Sequence, residues 1–411
     1  MGVDTTAPLR VTNYPAIFRG YIVRSTQDIL MRVQQVEGLL PPAEREQALH
    51  TLSYALKLTD AWPDTCTLLL EMAPKMEQAG FRDEWMPYLE QGIRQSQVLE
   101  NLEGEAELHF QLGRLYRLRG RYGRARVQFE ASIKGFERLK APRNQALAIN
   151  RLAQVARLER KFEEAVRLVE IALSLLNEPD SERGYSFLVL GMTAVDKRAW
   201  SEGVDYFNRS LEVWKQDNNR RMMGRCLMSL GAALLAMKKY QESLSVCQEA
   251  VSLFGELEDP VYQAISKMNL GNAYYWLDQP EEAINYHLQA RRAFRRAHDR
   301  FYLGHVNHNL GMAYLKLEQW DKAKEAYLLG IERYQQIGNV AWLVDSLDGL
   351  GLTYLEEGQH EKAKTTFEEA LNRLSEIEGE PGYEKYRKIL STHLQETRNR
   401  VNCEQDLLVV S

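Results

Sequence analysis

The sequence predicts an all-α fold in which antiparallel helix pairs stack into an α-solenoid, and three observations predict it. Leu, Ala, Glu, Arg and Gln crowd the 411 residues while β-branched runs are scarce, a composition that favours helix over strand. A Leu-Gly or Leu-Ala step recurs at Leu112-Gly113, Leu152-Ala153, Leu190-Gly191, Leu230-Gly231, Leu270-Gly271, Leu310-Gly311 and Leu350-Gly351. The spacings are 40, 38, 40, 40, 40 and 40 residues, and self-similarity at such a period marks a repeat array.

The rest of each unit keeps step with the anchor. Twelve residues later comes a small residue: Ala125, Ala165, Gly203, Ser243, Ala283, Ala323 or Ala363. Sixteen later comes Phe129, Val169, Phe207, Cys247, His287, Tyr327 or Phe367, and nineteen later Ser132, Ala172, Ser210, Ala250, Ala290, Gly330 or Ala370. A glycine inside a helix costs about 1 kcal/mol against alanine, so the recurring one needs a packing reason. The reading is that Gly271 on the first helix of its unit, helix A, lies against small Ala283 and Ala290 on the second, helix B. Between units, Asp259-Pro260 reads as N-cap and first helical residue, and Gly338 as a helix stop.

In chain order, residues 1–21 are expected to be loose. Residues 22–100 carry four off-consensus helices, in which 62–100 reads as a degenerate repeat and 22–60 as another or as a distinct cap. Residues 101–380 hold seven units, 381–400 form a polar amphipathic capping helix, and 401–411 are expected to be a tail.

The string "NLGNAYYWLDQPEEAINYHLQA" (269–290), with its 40-residue period, resembles the tetratricopeptide repeat (TPR). Within that family it is most similar to the long-helix arrays of LGN/Pins scaffolds, kinesin light chains and MalT-type regulators. The resemblance implies a right-handed superhelix whose A helices line a concave groove that holds a peptide or helix of a partner. The groove residues it points to are Tyr185, Leu188, Met192, Arg225, Met228, Met268, Asn272, Tyr275, Trp276, His308 and Asn309. Chaperone-binding members grip a C-terminal carboxylate with a Lys, two Asn and later basic residues. Here Asn272 and Asn309 match the asparagines, but Met268 stands for the Lys, and Asp345 and Gly349 for the basic pair, so capture of chaperone tails is not expected.

The net charge is −5, which argues against nucleic acid as a general partner. The charge is uneven: residues 101–200 hold 18 Lys and Arg against 13 Asp and Glu. A basic patch is expected at Arg114, Arg117, Arg121, Arg124, Arg151 and Arg157, either as solvated surface or as a dock for an acidic segment. Arg119, Arg126 and Arg160 stand nearby. Cys66, Cys226, Cys247 and Cys403 form no CxxC pair, and a reducing, cytoplasmic setting is the simplest reading. No stretch reads as a membrane span, while Gly2 and Thr6 fit the loose myristoylation pattern.

No P-loop, nucleophile elbow or HExxH motif occurs, so neither an enzyme nor a cofactor is expected. His305 and His308 share a helix face, but nothing nearby completes a metal set, and none is predicted. The expected function is a non-enzymatic scaffold that binds a partner protein. The alternatives are a peptide-responsive sensor with the layout of Rap-type regulators, or an accessory subunit of an enzyme on another chain.

Overall fold

The length of the repeat follows from its helices. In the regular units both helices have 17 residues, as in α11 (Arg220–Ala236) and α12 (Tyr240–Glu256), and three-residue turns follow each. Two such helices with their turns fill the 40-residue period. The departure to 38 is also local: α8 (Phe162–Leu175) has 14 residues, the loop after it six, and α9 (Glu182–Asp196) 15.

The computed structural model describes residues 14–36, 38–79, 81–297, 299–380 and 382–410. Gly2 and Thr6 lie outside them. The chain divides into two compact units, Met1–Thr193 and Ala194–Ser411. The described residues of both are helical, without strands.

In the first unit, α1 (Tyr14–Gln35) packs on α2 (Pro42–Ala55) and α3 (Trp62–Gln78). From α4 (Arg82–Val98) through α5 (Leu102–Leu118), α6 (Tyr122–Arg138), α7 (Pro142–Leu158) and α8, each helix packs on its chain neighbour. Helices α3 and α4 carry the bounds of α5 and α6 shifted by 40 residues. Ala73 and Leu89 are both buried at the positions that Gly113 and Phe129 hold one unit later. Helix α2 starts in the same register, but α1 begins eight residues early. The loose segment expected to reach residue 21 is therefore helical from Tyr14. Its Ile22 packs with Ala55 and Ala61, and Phe18 meets the Tyr54 ring edge-on at 5.9 Å.

In the second unit, α10 (Trp200–Gln216) precedes four full pairs: α11/α12, α13 (Pro260–Trp276)/α14 (Pro280–Arg296), α15 (Arg300–Lys316)/α16 (Trp320–Ile337) and α17 (Val340–Glu356)/α18 (His360–Leu374). Helix α19 (Tyr383–Val410) closes the array with Leu390 and Leu394 in the last core cluster. It continues past residue 400, so the expected tail is helical to Val410.

The sequence explains the boundaries. Asn101, Asn219, Asp259, Asp299 and Asn339 each accept a hydrogen bond from a backbone N–H three residues on, capping a helix A. Each A-to-B turn is closed by a residue with positive φ seven after the anchor, such as Lys238, Asp278 and Glu318, with Gly120 and Gly358 supplying it free of strain.

The anchor glycines make room in a way that differs from the expected contact between small residues. A Cβ on Gly113, Gly231, Gly271, Gly311 or Gly351 would stand 2.5–2.8 Å from Phe129, Cys247, His287, Tyr327 or Phe367, the side chain sixteen residues on. A second pair repeats seven before and 23 after the anchor: Gly224 under Phe254 and Gly304 under Tyr334. One side chain of helix B, a ring in every case but Cys247, fills the notch left on helix A, and its burial offsets the lost helix propensity.

Candidate protein-binding face

In the second unit, the residues expected to bind lie on α11, α13 and α15. The structure separates the eleven expected groove residues by exposure. Three residues before the anchor, Met268 and His308 are only 8% and 5% exposed, which corrects their assignment to an open groove. Met268 packs with Ala264, Ile265, Phe294 and Val306. His308 Nδ1 lies 3.0 Å from Ser346 Oγ and Nε2 3.5 Å from Asp345 Oδ2, with the rings of Tyr327 and Trp342 edge-on around it. The reason is geometric: at this position a side chain points along the array into the adjacent helix A. Met228 is half-buried against the cluster of Met268. Arg225 is half-buried, its guanidinium 6.0 Å from the centre of the Tyr262 ring.

Asn272, Tyr275 and Asn309 are half-buried, and Trp276 is exposed. Asn309 Nδ2 donates to Asn272 Oδ1 at 2.8 Å, which ties α15 to α13. The other halves of the two amides, an Nδ2 donor on Asn272 and an Oδ1 acceptor on Asn309, have no partner among the described residues. Lys316, which sequence reasoning passed over, donates to the Tyr275 carbonyl at 3.2 Å, pairs with Asp278 at 2.8 Å and sits 4.8 Å from the centre of the Tyr275 ring. Trp276 is 51% exposed and stacks on Tyr240 of α12 at 5.9 Å, so it flanks the face at the turn.

Beside these, His305 forms an aromatic box with Phe301, Tyr334 and Trp342. Its Nδ1 is 3.0 Å from the Tyr334 hydroxyl and its ring centroid 4.3 Å from that of Trp342. Burial, with neighbouring His308, pushes its pKa down to about 4, so the ring is neutral near pH 7. Among the described residues, no group of three or more His, Cys, Asp and Glu is placed to hold a metal ion.

In the first unit, Tyr185 and Leu188 are buried, which again removes them from an open face; Met192 is half-buried. The Tyr185 hydroxyl donates to Gln154 Oε1, and the Arg151 guanidinium covers its ring at 3.5 Å. The basic patch is largely consumed by internal pairing. Arg114 pairs with Glu77 at 2.7 Å, Arg119 with Asp83, Arg126 with Glu159 and Glu164 at 2.6 and 2.8 Å, and Arg151 with Glu182 at 2.7 Å. Arg117 and Arg157 are half-buried. Arg121 and Arg124 stay exposed, Arg124 with its guanidinium 5.8 Å from the Tyr116 ring centre. These pairs join positions 31–38 residues apart, one unit to the next, which no single-unit inspection of the sequence reveals.

Paired helices of mostly 17 residues, recurring at a near-constant period and notched by glycine, define a helix-pair repeat protein, and the amides and aromatics on its A helices suit an interaction surface. A family model described as tetratricopeptide repeat matches residues 223–296, 262–336 and 302–376. The chain thus carries tetratricopeptide repeats over residues 223–376. Its fold is similar to that of a STAND signal-transduction ATPase with a tetratricopeptide repeat sensor from Pyrococcus horikoshii, at 14% identity and TM-score 0.54 over 90% of this chain. This chain spans about half (53%) of that protein. It is also similar to a Rap protein solved with Competence and Sporulation Factor, at 16% identity and TM-score 0.51, covering 82% of this chain and 99% of that one. Among curated proteins none matches the sequence. No described helix is long and apolar enough to cross a membrane.

Proposed function

We propose that the chain is a non-enzymatic scaffold that holds a peptide or helical segment of a partner protein on the A-helix face of α13 and α15. The observation that carries the reading is the Asn272–Asn309 pair, which keeps one donor and one acceptor without a partner among the described residues on a half-buried face beside Tyr275. A peptide backbone supplies the complementary acceptor and donor, and desolvating it without such partners is costly. Tyr275 and Trp276 add contact area with little rotamer entropy to lose. A reducing, cytoplasmic setting fits the buried Cys66, Cys226 and Cys247, which are unpaired.

The test is selection of binders from a displayed peptide library by the full chain. Selected peptides should lose at least tenfold in affinity to Asn272→Ala/Asn309→Ala and to Tyr275→Ala. Undiminished binding to all these variants would overturn the reading. The likeness to a Rap protein favours a second reading, a sensor that changes shape on binding. Small-angle scattering of a selected peptide complex separates the two, since a sensor compacts and a scaffold keeps its radius of gyration.

A further inference from the structure

The end of α14 and the start of α15 carry five arginines in ten residues, Arg291, Arg292, Arg295, Arg296 and Arg300, against one acid, Asp299. Asp299 is engaged: its carboxylate accepts the Tyr302 backbone N–H at 3.0 Å as a helix cap. Arg292, Arg295, Arg296 and Arg300 are exposed and Arg291 is half-buried. Among the described residues, none of the five makes an ion pair or a side-chain hydrogen bond, in contrast to Arg114, Arg126 and Arg151 of the first unit.

The fold does not account for this cluster. Arg291 and Arg295, and likewise Arg292 and Arg296, are like charges four apart, an arrangement that destabilises a helix. The helix dipole favours Arg295 and Arg296 in the last turn of α14. It opposes Arg300, the first residue of α15. Burial and the neighbouring Arg295 and Arg292 hold the Arg291 guanidinium below its usual range, and the field of Glu325 reaches it without an ion pair forming. A charge concentration that costs stability and finds no partner inside the fold is suited to one outside it.

We propose that Arg291, Arg292, Arg295, Arg296 and Arg300 dock a short Asp/Glu-rich segment of a partner protein. Arg291 to Arg296 covers about 8 Å of helix axis, which matches a few acidic side chains. A long polyanion would run onto exposed Glu281 and Glu282 at the other end of α14, on a chain whose net charge is −5. Phe301, 42% exposed next to Arg300, offers an apolar contact at the rim. Four of the five arginines lie on the helix B α14 and Arg300 opens α15, so the proposal does not rest on Asn272, Tyr275 or Asn309.

The experiment measures fluorescence anisotropy of a labelled hexaglutamate peptide with the full chain. Wild type should bind, with affinity falling as salt rises. The variant Arg292→Gln/Arg295→Gln/Arg296→Gln/Arg300→Gln should lose at least tenfold, and the four corresponding Arg→Lys changes together should stay within threefold. A control that removes as much charge elsewhere, Arg121→Gln/Arg124→Gln/Lys134→Gln/Arg138→Gln, should change affinity less than twofold. No binding by wild type, equal loss in the control, loss in the Lys variant matching that of the Gln variant, or tighter binding of a single-stranded oligonucleotide of equal charge would each overturn the proposal.

Discussion

A Cβ on Gly271 would stand 2.6 Å from the His287 ring, and that ring is fully enclosed. The pair fixes the approach of α13 to α14, and it is repeated as Gly113 with Phe129 and Gly351 with Phe367. Overpacking such a contact costs about 1–3 kcal/mol, so Gly271→Ala should lower stability by that amount in urea denaturation. Gly271→Ala/His287→Ala should recover part of it relative to His287→Ala alone. Strict additivity across that double-mutant cycle would show that the two residues do not share a notch.

His287 should also make the protein acid-sensitive. Burial alone pushes its pKa from 6.5 down to about 3, and its Nδ1 has no partner. The folded state therefore resists the proton that the unfolded state takes up, so stability is lost as pH falls from about 6.5 towards 3. His287→Phe, which installs the residue found at Phe129 and Phe367, should flatten the fall of Tm on that acid limb. His305 and His308, also lowered by burial, should leave part of the slope in place. An unchanged slope would mean that His287 is protonated in the folded state.

His393 carries the opposite sign. Its Nδ1 lies 2.7 Å from Asp348 Oδ1, and that hydrogen bond raises its pKa. The stabilisation is fully present below the unfolded pKa and is lost as pH rises through the folded one. His393→Ala should thus lower Tm more at pH 6 than at pH 8.5, by loosening α19 from α17. Equal losses at both values would remove the charge from the account.

The arginines of the first unit should divide by role. Arg151 and Glu182 form a pair in which the side chains are 16% and 7% exposed, so Arg151→Ala leaves a buried carboxylate unpaired and should cost about 3 kcal/mol or more. Arg121→Gln on the exposed surface should stay within about 0.5 kcal/mol. Chemical denaturation of the two variants checks both, and similar small effects would show that Arg151 is not structural.

Much of the molecule was legible in the sequence because a repeat states the same constraints several times. The Leu-Gly anchors, the small positions and the N-cap residues at Asp259 and the stop at Gly338 all lie within one helix or turn, and local chemistry governs them. Helical periodicity placed Asn272, Tyr275 and Asn309 on one face, where they are half-buried. Met268, His308, Tyr185 and Leu188 share that periodicity and are nonetheless buried, because the period reveals a face but not how closely the next helix A covers it. Likewise Arg114 and Arg151 looked like a basic surface until partners 31–37 residues away, Glu77 and Glu182, were brought beside them. No motif singled out Arg291, Arg292, Arg295, Arg296 and Arg300, and only tertiary placement shows them without a carboxylate partner among the described residues. By itself the sequence determined the helices, their period and their notches, which depend on side-chain size and backbone preference. Only the tertiary structure decided which charges and which apolar groups remain unspent, since that depends on contacts between units distant in the chain.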